Sequence, residues 1–132
     1  MSLGFALGAQ ASESEATSCV RTKVWESYDE GWSLRTLLDA SLVHGDKKVW
    51  KIGMYSDRTY RLMACGVAPS LDLDIVIYDG AGKVVLRDDT RDRQPGLSFV
   101  PAESGAYYVV LHARQNAAAD VAADVALAVL HK

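Results

Sequence analysis

The chain has 132 residues, 49% of them apolar, and a formal net charge of −3. That much apolar material can form the core of one domain, which excludes a disordered chain. Cations and anions interleave, as in Arg87-Asp88-Asp89-Thr90-Arg91-Asp92-Arg93, so the sequence carries neither the basic footprint of a nucleic-acid binder nor the clustered Lys and Arg that hold a protein on an anionic membrane.

Residues Met1 to Ala11 (MSLGFALGAQA) are apolar and small, and Ala9-Gln10-Ala11 has the A-x-A form that signal peptidase accepts. They read as the remnant of an export signal, or otherwise as a leader, ahead of one domain over 12–132, and they place the protein in the periplasm or the secreted space. No segment approaches transmembrane length, so stable membrane insertion is not expected.

Beyond Ser18, Val20, Val24, Tyr28 and Trp32 recur every four residues and predict a helix over 19–30. Gly31 suits its C-terminal end, where a left-handed residue is wanted. An amphipathic helix of this length is marginal alone, so its apolar stripe must dock on the rest of the chain. Cys19 within it and Cys65 are the only cysteines, with no C-x-x-C spacing. In a reducing compartment they would be two buried thiols. In an oxidising one they close a loop of roughly 45 residues, worth about 4 kcal/mol in the chain-entropy model. The export signal favours the disulfide.

From Ser33 the pattern turns to strands, giving a β-sandwich over 33–132. Leu34, Thr36, Leu38, Ala40 and Leu42 fit one face of a strand, although Leu34, Leu37, Leu38 and Leu42 also fit a helix. Val49 to Tyr55 and Thr59 to Cys65 read as two strands. Leu71, Leu73, Ile75 and Ile77 alternate with Asp72, Asp74, Val76 and Tyr78, Asp79-Gly80-Ala81-Gly82 supplies a tight turn, and Lys83 to Leu86 returns as the second arm of a hairpin. A short strand, Leu97 to Val100, is halted by Pro101. Gly105 to Ala113 is apolar on both faces and so central. Val125, Leu127 and Val129 form a closing strand, although the preceding Ala117 to Ala123 also has helix formers. Short strands with turn residues between them indicate an all-β antiparallel sandwich with one N-terminal helix.

The candidate chemistry is sparse. Asp72 and Asp74 share the polar face of one strand and are expected to meet water, while Asp79 lies too far along to join them. Folding back of the Asp88-Asp89 loop would let Asp72, Asp74, Asp88 and Asp89 converge on calcium, which needs six to eight oxygens. The simpler reading is that these acids solvate the strand end and bond to loop N–H groups. His44, His112 and His131 show no zinc or triad spacing, Ser104-Gly105 lacks a nucleophile elbow, and Gly80-Ala81-Gly82 joins two strands rather than cradling phosphate. Trp25, Trp32, Trp50 and the tyrosines would suit sugar or peptide recognition where exposed. Against that, Trp25, Tyr28 and Trp32 also suit fixing the helix to the sandwich, and Tyr107 suits packing at a strand corner.

The segment from about Thr59 onward resembles the bacterial pre-peptidase C-terminal domain. The resemblance rests on Asp72-Leu73-Asp74-Ile75-Val76-Ile77-Tyr78-Asp79, the small-residue turn, Asp88-Asp89, Leu97-Ser98-Phe99-Val100-Pro101 and Ser104-Gly105-Ala106-Tyr107-Tyr108-Val109-Val110-Leu111, in the family's order and spacing. It implies a jelly-roll-like β-sandwich in an exported bacterial protein, in a family some of whose relatives bind calcium or extracellular polymers. The expectation is therefore a noncatalytic interaction or accessory module without a required cofactor. The alternative is a calcium-dependent or polymer-binding module with a protein or polysaccharide partner.

Overall fold

The computed structural model describes residues 14–132, and the leader expected at Met1 to Ala11 lies outside them. Helix α1 spans Glu15–Tyr28, and Ser14 caps it by accepting from Thr17 N at 3.1 Å. The helix begins earlier than the apolar spacing predicts because this cap lies in the polar stretch before it. Gly31 follows with φ of 91°, a left-handed conformation that glycine adopts without Cβ strain.

Eight strands follow: β1 (Ser33–Leu42), β2 (Lys47–Met54), β3 (Tyr60–Gly66), β4 (Ser70–Tyr78), β5 (Val84–Asp88), β6 (Gly96–Phe99), β7 (Gly105–Asn116) and β8 (Ala123–His131). Both segments whose pattern also fits a helix contain strands, because their alternate residues are needed on opposite sides of a sheet. The sheets run β1-β8-β3-β6 and β2-β7-β4-β5, with every pairing antiparallel. Apart from the β4–β5 hairpin, consecutive strands alternate between the two sheets, which is the jelly-roll arrangement. β7 is interior, as its two apolar faces require.

The space between the sheets is filled by alternate residues of each strand, among them Leu62, Leu73, Ile75, Ile77, Val109, Leu111, Val125, Leu127 and Val129, all fully buried. β8 is buried on both sides. Val125, Leu127 and Val129 face the other sheet, while Ala126, Ala128 and Leu130 meet Ala16, Val20 and Val24 of α1. The two alanines let the helix approach closely, and the apolar stripe read in the sequence finds its docking surface there. The Cys19–Cys65 disulfide, spanning a sequence separation of 46, ties the helix to β3. Trp32 closes the helix end, with Arg61 Cζ at 4.4 Å and Lys132 Nζ at 4.7 Å from its ring centroid.

The β4–β5 hairpin is correct in outline and differs from expectation in two details. Leu73, Ile75 and Ile77 are fully buried, and Gly82 has φ of 84° in the turn. Leu71, however, is exposed, because the β4–β7 register shifts on both sides of Asp72 and turns it out of the core. Asp72 and Asp74, expected in water, are only 5% and 4% exposed. The β5–β6 connection returns beside β4, with Leu73 N donating to Asp92 O at 2.9 Å. Among the described residues no helix is long and apolar enough to cross a membrane.

Candidate functional site

The aspartates separate into two kinds. Asp79, Asp88 and Asp92 hold turns. Asp79 Oδ1 accepts from Ala81 N and Lys83 N, each at 2.9 Å, and Asp92 Oδ1 accepts from Gln94 N at 3.0 Å. Asp88 Oδ1 accepts from Thr90 N at 3.1 Å and Thr90 Oγ1 at 2.7 Å, while its Oδ2 accepts from Gly96 N at 2.9 Å. Partial burial of Asp88 works to raise its pKa, but these donors outweigh it and hold the carboxyl below its usual range. Both oxygens of Asp88 are thereby occupied in organising the loop.

Asp72 and Asp74 have few partners. Oδ1 of each is buried without a hydrogen-bond partner, and Asp74 Oδ2 lies 3.6 Å from Arg114 Nη1. Burial, then the like charge of Asp72 and a hydrogen bond to it, push Asp74 up to about 6, with Asp89 adding slightly, against the opposing pull of Arg114. Asp74 therefore holds its proton to higher pH than an ordinary carboxyl does. His112 lies across from Asp74 in the β4–β7 register. Burial and then Lys47 hold it below the usual histidine range. Among the described residues no group of three or more His, Cys, Asp and Glu is gathered as a metal-holding cluster.

The other polar candidates are engaged structurally. His44 Nδ1 accepts from Asn116 N at 3.2 Å, and His131 Nδ1 lies 3.1 Å from Arg58 Nη1. Ser104 Oγ accepts from Ser56 N at 2.8 Å. Both cysteines are in the disulfide. The aromatic residues divide. Trp32 packs the helix end, and Tyr107 is buried with its hydroxyl donating to Glu103 O at 2.6 Å, the corner role expected of it. Trp25 and Tyr28 do not fix the helix. Their rings meet edge to face at 5.2 Å and are 64% and 40% exposed: Trp25 points to the opposite side of the helix, and Tyr28, expected on the apolar stripe, is displaced from it because Ser27 continues the buried face of Ala16, Val20 and Val24.

One concave feature has no counterpart in the motifs read from the sequence. β1 and β2 are the outer strands of their respective sheets on the same side of the sandwich, and a groove of about 350 Å³ separates them. Leu38, Trp50 and Ile52 bring apolar side chains to its lining, and Arg35, Thr36 and Lys51 bring polar ones. The only sequence signal for it is the unusual content of lysine in β2, Lys47, Lys48 and Lys51.

Solved structures share this fold. The periplasmic inhibitor of g-type lysozyme from Aeromonas hydrophila, PliG, aligns over 74% of this chain and 85% of its own with a TM-score of 0.56 and 14% identity. The pre-peptidase C-terminal domain of a Bacillus anthracis collagenase aligns over 73% and 89%, with a TM-score of 0.55 and 16% identity. The resemblance to pre-peptidase C-terminal domains seen in the sequence therefore holds at the level of the fold. No protein-family model matches the sequence, and no curated protein shows significant sequence similarity to it.

Proposed function

We propose that this protein is a noncatalytic, exported bacterial β-sandwich that acts by binding another macromolecule in the periplasm or secreted space. The observation that carries the reading is the Cys19–Cys65 disulfide, since such bonds persist in oxidising compartments. The engagement of His44, His131, Ser104 and both cysteines in structural contacts supports a role in recognition rather than chemistry. The fold's occurrence in a periplasmic lysozyme inhibitor supports a protein as the partner class, ahead of a polysaccharide.

The test uses protein recovered from bacterial cells. The reading expects no titratable thiol in denatured, unreduced protein from the periplasmic fraction. It also expects saturable retention of a macromolecule from periplasmic extract on the immobilised chain. Two free thiols in that fraction, or turnover of a substrate, would overturn it.

A calcium-dependent mode is a second reading, favoured by the orphaned buried oxygens of Asp72 and Asp74. These two and the nearby Asp89 would contribute, with Asp88 joining only by giving up its loop donors. Carboxylates alone fall short of the six to eight oxygens required, so loop carbonyls and water would complete the set. A melting temperature that is the same in millimolar calcium and in chelator would remove this reading.

A further inference from the structure

We propose that the open edge formed by β1 and β2 binds an extended acidic peptide segment of a partner protein, which adds to β2 as a further strand. The proposal rests on the interaction-module reading and names its surface and partner chemistry.

β2 is the outer strand of its sheet, so one side of its backbone has no strand partner. Arg35 Nη2 donates to Gly53 O at 2.9 Å, which shows that this carbonyl points away from β7 toward the opening. The two-residue period of a strand turns the backbone groups of Val49 and Lys51 the same way. An incoming strand would find them in register with its own.

Side chains on this edge select the partner. Trp50 and Ile52 point toward the groove, together with Leu38 from β1, whereas Lys47, Val49 and Lys51 lie on the exposed face. A strand laid along β2 would therefore place alternate apolar residues over the groove and the intervening residues beside the lysines. Arg35, Lys47, Lys48, Lys51 and Arg58 have no carboxylate partner among the described residues. Asp46 and Asp57 stand near the two ends of β2, and Asp46 Oδ1 accepts from the backbone N of Lys47. His131 reports the same field, being held below its usual range by burial and then by Arg58 and Arg35. In a chain of net charge −3, this concentration of unpaired cations beside free backbone groups complements an acidic, alternating strand. Lysines on an edge also discourage self-association, but that role alone needs neither a groove carrying Leu38, Trp50 and Ile52 nor the arginine from β1.

The experiment uses the intact chain and a fluorescein-labelled peptide of alternating Glu and Val as long as β2, followed by anisotropy. The peptide should bind and perturb the backbone amides of Val49 and Lys51 in heteronuclear NMR spectra. Rising salt should weaken it, and the folded Arg35→Glu/Lys51→Glu variant should weaken it by about tenfold or more. N-methylation of alternate peptide residues, which blocks strand pairing while leaving the protein untouched, should abolish binding. Equal binding of a Lys-Val peptide, indifference to N-methylation, or NMR changes confined to other surfaces would each overturn the proposal. So would binding of polygalacturonate in place of the peptide. Retention of a periplasmic partner by the double variant would reject this surface while leaving the interaction-module reading intact.

Discussion

Replacing Asp74 with Asn should stabilise the protein at neutral pH and leave it little changed in acid. Asp74 is raised from 3.8 to about 6 by burial, by Asp72 and more weakly by Asp89, with Arg114 opposing. A raised carboxyl binds its proton more tightly in the folded than in the unfolded chain. Its stabilising contribution is complete below the unfolded value and is lost as pH rises through the folded one. A displacement of about two units at about 1.36 kcal/mol each means that ionised Asp74 costs on the order of 3 kcal/mol above about pH 7. Asparagine stays neutral, and its amide can donate to Asp72 as the protonated acid does. The loss of attraction to Arg114, whose side chain is 56% exposed, offsets only a small part of the gain. Urea denaturation of both proteins from about pH 4 to about pH 8 should show the difference in unfolding free energy opening by about 2–3 kcal/mol in favour of the variant. Titration of His112 nearby is common to both proteins and largely cancels. A difference that is constant across the range, or a variant less stable at about pH 8, would refute the burial-driven rise of the Asp74 carboxyl.

Removing the disulfide by Cys19→Ser/Cys65→Ser should lower stability by about 4 kcal/mol, from the chain entropy of a 46-residue separation. Denaturation with and without reductant should then differ for the parent and not for the variant. Ala128→Leu should destabilise by about 1–3 kcal/mol, because Ala128 is fully buried between β8 and α1. The accompanying loss of helix protection in hydrogen exchange would locate the damage. Tyr107→Phe should cost about 1 kcal/mol in thermal or chemical unfolding, since only the 2.6 Å bond to Glu103 O is lost.

Local pattern revealed much of the architecture. The alternation through Leu73, Ile75 and Ile77 identified the hairpin, and the spacing of Val20 and Val24 identified the face of α1, because side-chain periodicity is a local property of backbone geometry. Pattern also identified the polar face carrying Asp72 and Asp74, but not its covering, since the returning β5–β6 connection is a long-range arrangement. The bulge that turned Leu71 outward had no distinguishing residue to announce it. The β1–β2 groove was hidden for a related reason: its walls belong to different sheets, and their proximity follows from the order β1-β8-β3-β6 against β2-β7-β4-β5. Trp25 and Tyr28 were readable as aromatic residues near the helix stripe, yet only the docking angle of α1 decides which rings it leaves outside.

The position of β8 between β1 and β3 bears on how the chain acquires its shape. Everything synthesised before Ala123 leaves those two strands without the ribbon that joins them, and α1 without the alanine bed on which it rests. Partial chains that stop short of β8 consequently lack a continuous sheet on this side of the sandwich. Closure of that sheet awaits β8, whose Val125, Leu127 and Val129 seal one side while Ala126 and Ala128 receive the helix on the other.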